Sequence, residues 1–210
     1  MKRARKFFNN INADHYLFKR LAFSLLSLWF WWVVANLINV MIGQLSFFTM
    51  PMFGILQWLV LRKYIPHLGR WILASAYGWI TAYLIIYVFK IGEKIVEIAP
   101  QGYLLILGVT VNIQGVWTYI LIMFLASTVI GVFQWLVLRN HIRYAIWWIF
   151  ASCIGGVARG GAIALVLPIV DPTLVEVIGS LAYGTVTGIA LIGLLKTRIQ
   201  RHLEQQMYWS

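Results

Sequence analysis

The chain alternates long apolar stretches with short polar or basic connections. The apolar stretches recur at lengths of about 20 residues, which is what a helix needs to cross ~30 Å of hydrocarbon. The pattern predicts six membrane-spanning helices, at residues 21–43, 47–64, 71–90, 116–138, 145–168 and 173–195. We therefore expect an all-α fold, an integral membrane bundle over 21–195, preceded by a basic segment at 1–20 and followed by a tail at 196–210.

The segment 91–115 interrupts this pattern, because it is too long for a turn and too apolar for a solvated loop. Its apolar core, residues 103–113, is 11 residues long. A helix of that length cannot span the hydrocarbon layer. We interpret 91–115 as a cap on the outer side of the bundle, and a re-entrant or partner-docking element is the alternative.

Composition and charge support the membrane interpretation and suggest an orientation. Hydrophobic residues make up 61% of the chain and charged residues 11%, against roughly 25% charged in a soluble domain. With six spans and both termini in the cytoplasm, only Lys90 and Lys94 of the 17 basic residues lie outside and only Arg159 lies within a span. Cytoplasmic loops carry such an excess of Lys and Arg. The net charge of +11 is then topological: it predicts contact with anionic headgroups on the cytoplasmic side and does not indicate nucleic-acid binding.

Two parts of the chain are copies of each other. Residues 54–79 and 131–156 share 13 of 26 positions without a gap, including Gly-x-x-Gln-Trp-Leu-Val-Leu-Arg and Trp-Ile-x-Ala-Ser-x-x-Gly. A weaker third copy runs from Gly188 to Lys196, and Ser27 and Trp31 of the first span are candidate remnants of the second motif. Three helical hairpins of parallel topology, related by a pseudo-threefold axis, would explain this spacing.

The repeated motif places a small residue and an amide on one helix face. Gly54 and Gln57, like Gly131 and Gln134, are three residues apart and share a face. Small residues allow close helix packing, and an amide in hydrocarbon must find a partner. The face is either a packing surface or the lining of a polar cavity. Further small residues at four-residue spacing predict packing contacts: Ser152, Gly156 and Gly160 in the fifth span, and Ser180, Gly184 and Gly188 in the sixth.

Arg159 is the strongest candidate for a ligand-binding residue. A charge within the hydrocarbon layer costs about 2.5 kcal/mol or more, and such residues are functional by default. The expected partners are Asn36 and Asn39 of the first span or Glu176 of the sixth. Arg159 is either a structural residue satisfied by such a partner or the binding site of an anionic group.

The sequence contains little catalytic chemistry. The four histidines lie in predicted inner loops or tails, and the single cysteine, Cys153, lies within a span. No metal-type Cys/His spacing occurs. We therefore predict that the protein is not an enzyme and holds no metal, and the sequence indicates no particular cofactor.

The duplicated GxxQWLVLR motif, with the Trp-Ile-x-Ala-Ser that follows each copy, resembles a group of uncharacterised small bacterial membrane proteins, many of them cyanobacterial. The resemblance covers roughly positions 50–160 and implies a bacterial inner or thylakoid membrane. No established activity comes with it. Two functions remain open: a non-catalytic accessory or scaffold protein that binds lipid, pigment or a larger membrane complex, and a transporter or channel for a small solute, for example an anion, that uses Arg159.

Overall fold

The architecture is an all-α bundle with one small β-hairpin at its edge. A computed structural model describes the backbone of residues 2–43, 52–106 and 108–208, and the side chains of 18–41, 53–105, 108–196, 198–200 and 205. The elements are α1 (Lys2–Gly43), α2 (Met52–Leu61), α3 (Arg70–Tyr83), a π-helical turn (Leu84–Val88), α4 (Ile91–Ile98), β1 (Tyr103–Ile106), β2 (Val109–Asn112), α5 (Ile113–Leu138), α6 (Trp147–Val166) and α7 (Pro172–Tyr208).

Five of these helices are long and apolar enough to cross a membrane. The qualifying segments are Phe18–Met41, Arg70–Val88, Ile113–Leu138, Trp147–Val166 and Pro172–Lys196. The chain is therefore a multi-pass membrane protein. The five segments overlap the predicted first, third, fourth, fifth and sixth spans. The predicted second span, 47–64, lies partly outside the described residues, and its described part is α2.

Several helix ends differ from the predicted span limits. α1 begins at Lys2 and α7 continues to Tyr208, so the segments predicted to flank the bundle extend its first and last helices. α3 widens into the π-helical turn, in which the Phe89 N–H donates to the Leu84 carbonyl at 2.9 Å. The Asn112 side chain begins α5 by accepting from the backbone N–H groups of Gln114 and Gly115. Such a cap satisfies amides that the first helical turn leaves unpaired.

The connections after α2 and α5 have the same backbone geometry. His67 and Tyr144, which are 77 positions apart, both adopt a left-handed conformation, with φ of 58° and 64°. A tryptophan, Trp71 or Trp148, follows four residues after each. Its backbone N–H donates to the backbone carbonyl three residues before it at 2.9 Å. We call the end of the bundle that carries these two connections the basic end.

The five long helices and α2 close into a ring of contacts. α1 packs against α2 and α7, α2 against α3, α3 against α5, α5 against α6, and α6 against α7. Large apolar side chains such as Phe23, Leu73 and Ile154 are exposed on the outside of this ring. An outer surface of this kind suits lipid, since a water-exposed surface rarely carries so extensive an apolar area.

The segment 91–115 forms a short helix and a hairpin. α4 lies against α5 and the π-helical turn, and β1 pairs with β2 in antiparallel register from Tyr103–Asn112 to Ile106–Val109. The prediction that the apolar core of this segment does not span as a helix agrees with this hairpin. The cap on the outer side, like the alternative of a partner-docking element, stays a prediction.

The hydrophobic core is densest at the basic end. It contains buried leucines, isoleucines and tryptophans from all six ring helices and both connections: Leu21, Leu28, Trp32, Leu61, Ile65, Leu68, Trp71, Leu138, Ile142, Ala145, Trp148, Leu191, Leu195 and Ile199. Beyond this core lies a polar layer, and a smaller apolar cluster of Ala82, Ile86 and Ala126 joins α3, the π-helical turn and α5.

Candidate functional site: a buried polar network and a small cavity

The two glutamines of the repeated motif occupy the centre of a hydrogen-bonded network. The indole N–H of Trp71 donates to Oε1 of Gln57 at 3.3 Å, and that of Trp148 donates to Oε1 of Gln134 at 3.0 Å. In each pair the glutamine and the tryptophan are 14 positions apart. Each glutamine thus accepts from the helix that follows it and fixes the two helices relative to each other.

Further bonds join these pairs into one network. Nε2 of Gln134 donates to Oε1 of Gln57 at 3.3 Å and to Oγ of Ser75 at 3.0 Å. Nε2 of Gln57 donates to Oδ1 of Asn36 at 3.0 Å. Oγ of Ser180 donates to the Asn36 backbone carbonyl at 2.9 Å. The network therefore connects α1, α2, α3, α5, α6 and α7.

Three tryptophans close the bundle between this network and the basic end. Trp32, Trp71 and Trp148 are fully buried and meet pairwise edge to face, with ring centroids 5.7–6.3 Å apart. The indole N–H of Trp32 donates to Oγ1 of Thr187 at 2.9 Å. Aromatic pairs in this geometry add about 0.5–1.5 kcal/mol beyond their burial. The three rings occupy the interior at this level.

A small cavity lies beyond the network, away from the basic end. Its volume is about 40 Å³, and room for one water requires roughly 10–15 Å³. The cavity can therefore hold a few waters or one small ion. It is lined by Asn36, Phe53, Gln57, Trp79, Met123, Ala126, Ser127, Ile130, Gln134, Arg159 and Tyr183.

Arg159 lines this cavity and is paired. Its Nη2 lies 2.5 Å from Oε2 of Glu176, and the side chains are 16% and 38% exposed. Of the expected partners, Glu176 is thus the one that binds Arg159, and Asn36 shares only the cavity with it. Nε of Arg159 is buried and has no protein partner among the described residues. Water in the cavity, or a small anion, could accept from it.

Asn39 lies outside this cavity and is bonded differently. Its Nδ2 donates to the Phe53 carbonyl at 3.2 Å, while its Oδ1 is buried with no partner among the residues described. The predicted candidates thus divide into two groups. Arg159, Asn36, Gln57 and Gln134 are brought to one cavity, Glu176 joins them through Arg159, and Asn39 is set apart.

The predicted packing residues lie at close helix approaches. A Cβ on Gly156 would be 2.5 Å from the Met123 carbonyl oxygen, and one on Gly160 would be 2.6 Å from that of Tyr119. Those on Gly54 and Gly131 would meet Ser75 and Ser152 of the next helix. Ser152 and Ser180 are buried, and Gly184 and Gly188 face α1.

Several residues of the site were missed at the sequence level. These are Trp32, Ser75, Ser127, Tyr183 and Thr187. The identical 14-residue spacing of Gln and Trp in both copies could have identified the indole–amide bonds. Of the two adjacent tryptophans in the first span, Trp32 contacts the other two buried tryptophans, whereas Trp31 is 54% exposed.

A second concavity lies on the outside of the bundle. It is a groove of about 1170 Å³ between α6, α7 and the connection that precedes α6. It is lined by His141, Ile142, Arg143, Tyr144, Trp147, Phe150, Ala151, Ile154, Val186, Ile189, Ala190, Gly193, Leu194, Arg198 and Gln205. Small-molecule sites usually have volumes of about 300–1000 Å³, so this groove is slightly larger than most of them.

Comparisons with protein families, curated proteins and solved structures gave no match to this chain. The resemblance to small bacterial membrane proteins therefore stays a prediction. Within the described residues no group of three or more His, Cys, Asp or Glu side chains could hold a metal ion.

Proposed function

We propose that the protein is a non-catalytic integral membrane accessory or scaffold protein that binds lipid, pigment or a larger membrane complex on its outer surface. The observation that carries this proposal is the filled interior. The polar side chains there bond mainly to one another, three tryptophans close one end, and the remaining cavity is about 40 Å³. The much larger groove opens to the outside of the bundle.

The proposed architecture is six spans in three hairpins that point the same way, α1–α2, α3–α5 and α6–α7. Support comes from residues at corresponding places in each hairpin. Trp32, Trp71 and Trp148 meet at one level. Leu61, Leu138 and Leu195, at the same place in the three motif copies, are all fully buried. α2 would complete the second span together with residues before Met52.

The proposed orientation places the basic end, and with it both termini, in the cytoplasm of a bacterium, at the inner or thylakoid membrane. The basis is the distribution of Lys and Arg between the two ends of the bundle. The resemblance to bacterial proteins supplies the membrane type.

One observation favours the second candidate function, transport of a small anionic solute. Arg159 carries a charge into the cavity, and its Nε has no protein partner among the described residues. Transport would require Trp32, Trp71 and Trp148 to separate, because they obstruct the interior between this cavity and the basic end.

Two measurements on the full chain test the proposal. Purification from native membranes in a mild detergent is expected to retain lipid, pigment or subunits in fixed stoichiometry. Proteoliposomes are expected to show the same flux of chloride, nitrate and phosphate as protein-free liposomes. A protein purified alone, together with an anion flux that Arg159→Leu abolishes, would replace the accessory function with transport.

A further inference from the structure

The groove between α6 and α7 combines an apolar wall with a basic rim. Phe150, Ile154 and Ile189 line it and are each more than half exposed. Trp147 lies where α6 begins and is also exposed. An apolar surface that runs along two membrane helices and ends at an interfacial tryptophan matches the depth profile of a lipid, whose acyl chain lies below its headgroup.

The charged side chains that line the described part of the groove are both arginines. Nη1 of Arg198 donates to the His141 carbonyl at 3.2 Å, which fixes the guanidinium at the basic end of the groove. The Arg143 guanidinium lies 5.0 Å from the centroid of the Tyr144 ring. A guanidinium has five N–H donors in a fork that matches phosphate oxygens, so neither contact uses up its capacity.

The groove is a departure from the repeat and is not required by it. In the connection before α3, Pro66 stands where Arg143 stands before α6, and Arg70 stands where Trp147 does. In the Gly-x-x-Gln-Trp-Leu-Val-Leu-Arg motif, Gly193 of the third copy replaces leucines that are partly exposed in the first two. A Cβ added at Gly193 would meet nothing within 4 Å. The absence of a side chain at Gly193 therefore leaves space in the groove. Helix packing does not require a glycine at this position.

We propose that this groove binds one anionic diacyl phospholipid from the cytoplasmic leaflet. Arg143 and Arg198 hold its phosphate, and an acyl chain passes Gly193 and lies along Phe150 and Ile154. Basic pockets between membrane helices on the cytoplasmic side bind anionic headgroups in this way. The inference rests on the proposed function, since it names the ligand class for one outer surface of the bundle.

Native mass spectrometry of the purified full chain tests the inference. Phosphatidylglycerol is added, with phosphatidylcholine of the same acyl chains as the zwitterionic comparison. We expect one phosphatidylglycerol to be retained with clear preference. The double variant Arg143→Gln/Arg198→Gln should weaken its retention roughly 30-fold, given the ordinary contribution of two basic residues near a headgroup. The matched control, Arg62→Gln/Arg139→Gln, removes two positive charges at the basic end but outside the groove and should retain it.

Gly193→Leu tests the apolar part without changing charge. The leucine should enter the groove and reduce phosphatidylglycerol retention, and a leucine is a better helix former than glycine, so folding is preserved. Equal retention of the two lipids would overturn the inference, and so would an equal loss of phosphatidylglycerol in the control variant. Binding of inorganic phosphate by a protein that retains no lipid would also overturn it. Such a failure without anion flux leaves the proposed function intact. A protein purified alone, together with an anion flux that Arg159→Leu abolishes, overturns the function whatever the lipid result.

Discussion

Gln134→Leu should destabilise the bundle. The side chain is 2% exposed. It donates to Gln57 and Ser75 and accepts from Trp148, at 3.0–3.3 Å. Leucine has a similar volume but no polar atom, so the variant loses three interhelical bonds and leaves their buried partners without this side chain.

The expected loss follows from those three bonds. An interhelical hydrogen bond in a membrane contributes ~0.6 kcal/mol on average and up to ~1.7 kcal/mol, so we expect a decrease of about 2–5 kcal/mol in the free energy of unfolding. Reversible unfolding in mixed SDS and mild-detergent micelles, followed by circular dichroism, measures it. The double variant Gln134→Leu/Trp148→Phe should lose less free energy of unfolding than the sum of the two single variants. The reason is that the two side chains share one hydrogen bond, which can be lost only once.

Gln114→Leu is the matched control for this substitution. Gln114 donates to the Val96 carbonyl at 3.0 Å outside the bundle interior, where water can replace the bond. Its loss should be below about 1 kcal/mol. If Gln134→Leu lowers the free energy of unfolding no more than Gln114→Leu does, the network does not stabilise the bundle and the account of the interior is wrong.

Three further substitutions test separate features by the same unfolding assay. Gly160→Ala should cost about 1–3 kcal/mol because the added Cβ meets the Tyr119 backbone. Gly161→Ala should cost nothing, because a Cβ there meets nothing within 4 Å. Equal effects would contradict the close approach of α5 and α6. His67→Gly should raise the free energy of unfolding by up to ~1 kcal/mol because it removes left-handed strain, and a decrease would refute that strain. Glu176→Gln should cost about 1–2 kcal/mol, less than the ~3–5 kcal/mol lost when a fully buried ion pair is broken. Its control, Glu93→Gln, breaks the exposed pair with Lys90 and should be neutral. Equal effects of the two variants would show that Arg159 needs no counterion.

The membrane character and most helices were predictable because hydrocarbon imposes a length and a composition that the sequence shows directly. Five predicted spans overlap helices that meet both criteria. The lengths of α1 and α7 were not predictable from hydropathy, since both helices continue beyond the apolar stretch, where charged and polar residues such as Glu204 still form helix. The hairpin at 103–112 also escaped prediction, because each strand has only four residues and the first, Tyr103–Ile106, is apolar at every position and shows no alternation.

The network was only partly predictable. The need of Gln57 and Gln134 for partners followed from chemistry, but the identity of those partners depends on how the helices rotate about their axes. Neighbouring tryptophans illustrate the difficulty: Trp31 and Trp32 are adjacent in sequence, and a rotation of one residue decides which faces inward. Arg159 could be identified by its cost in hydrocarbon, whereas the choice of Glu176 over Asn36 depends on the register between α6 and α7.

The accessibility of the cavity to water-soluble reagents tests the filled interior most directly, because it does not depend on guessing a solute. Ser127→Cys, placed on the cavity wall, is introduced together with Cys153→Ala, and Glu97→Cys on exposed α4 serves as the reference. Intact vesicles are treated with a charged thiol reagent from either side. The account predicts that Ser127→Cys stays unmodified while Glu97→Cys reacts to completion. Modification of Ser127→Cys at a comparable rate would show an open aqueous pathway and contradict it.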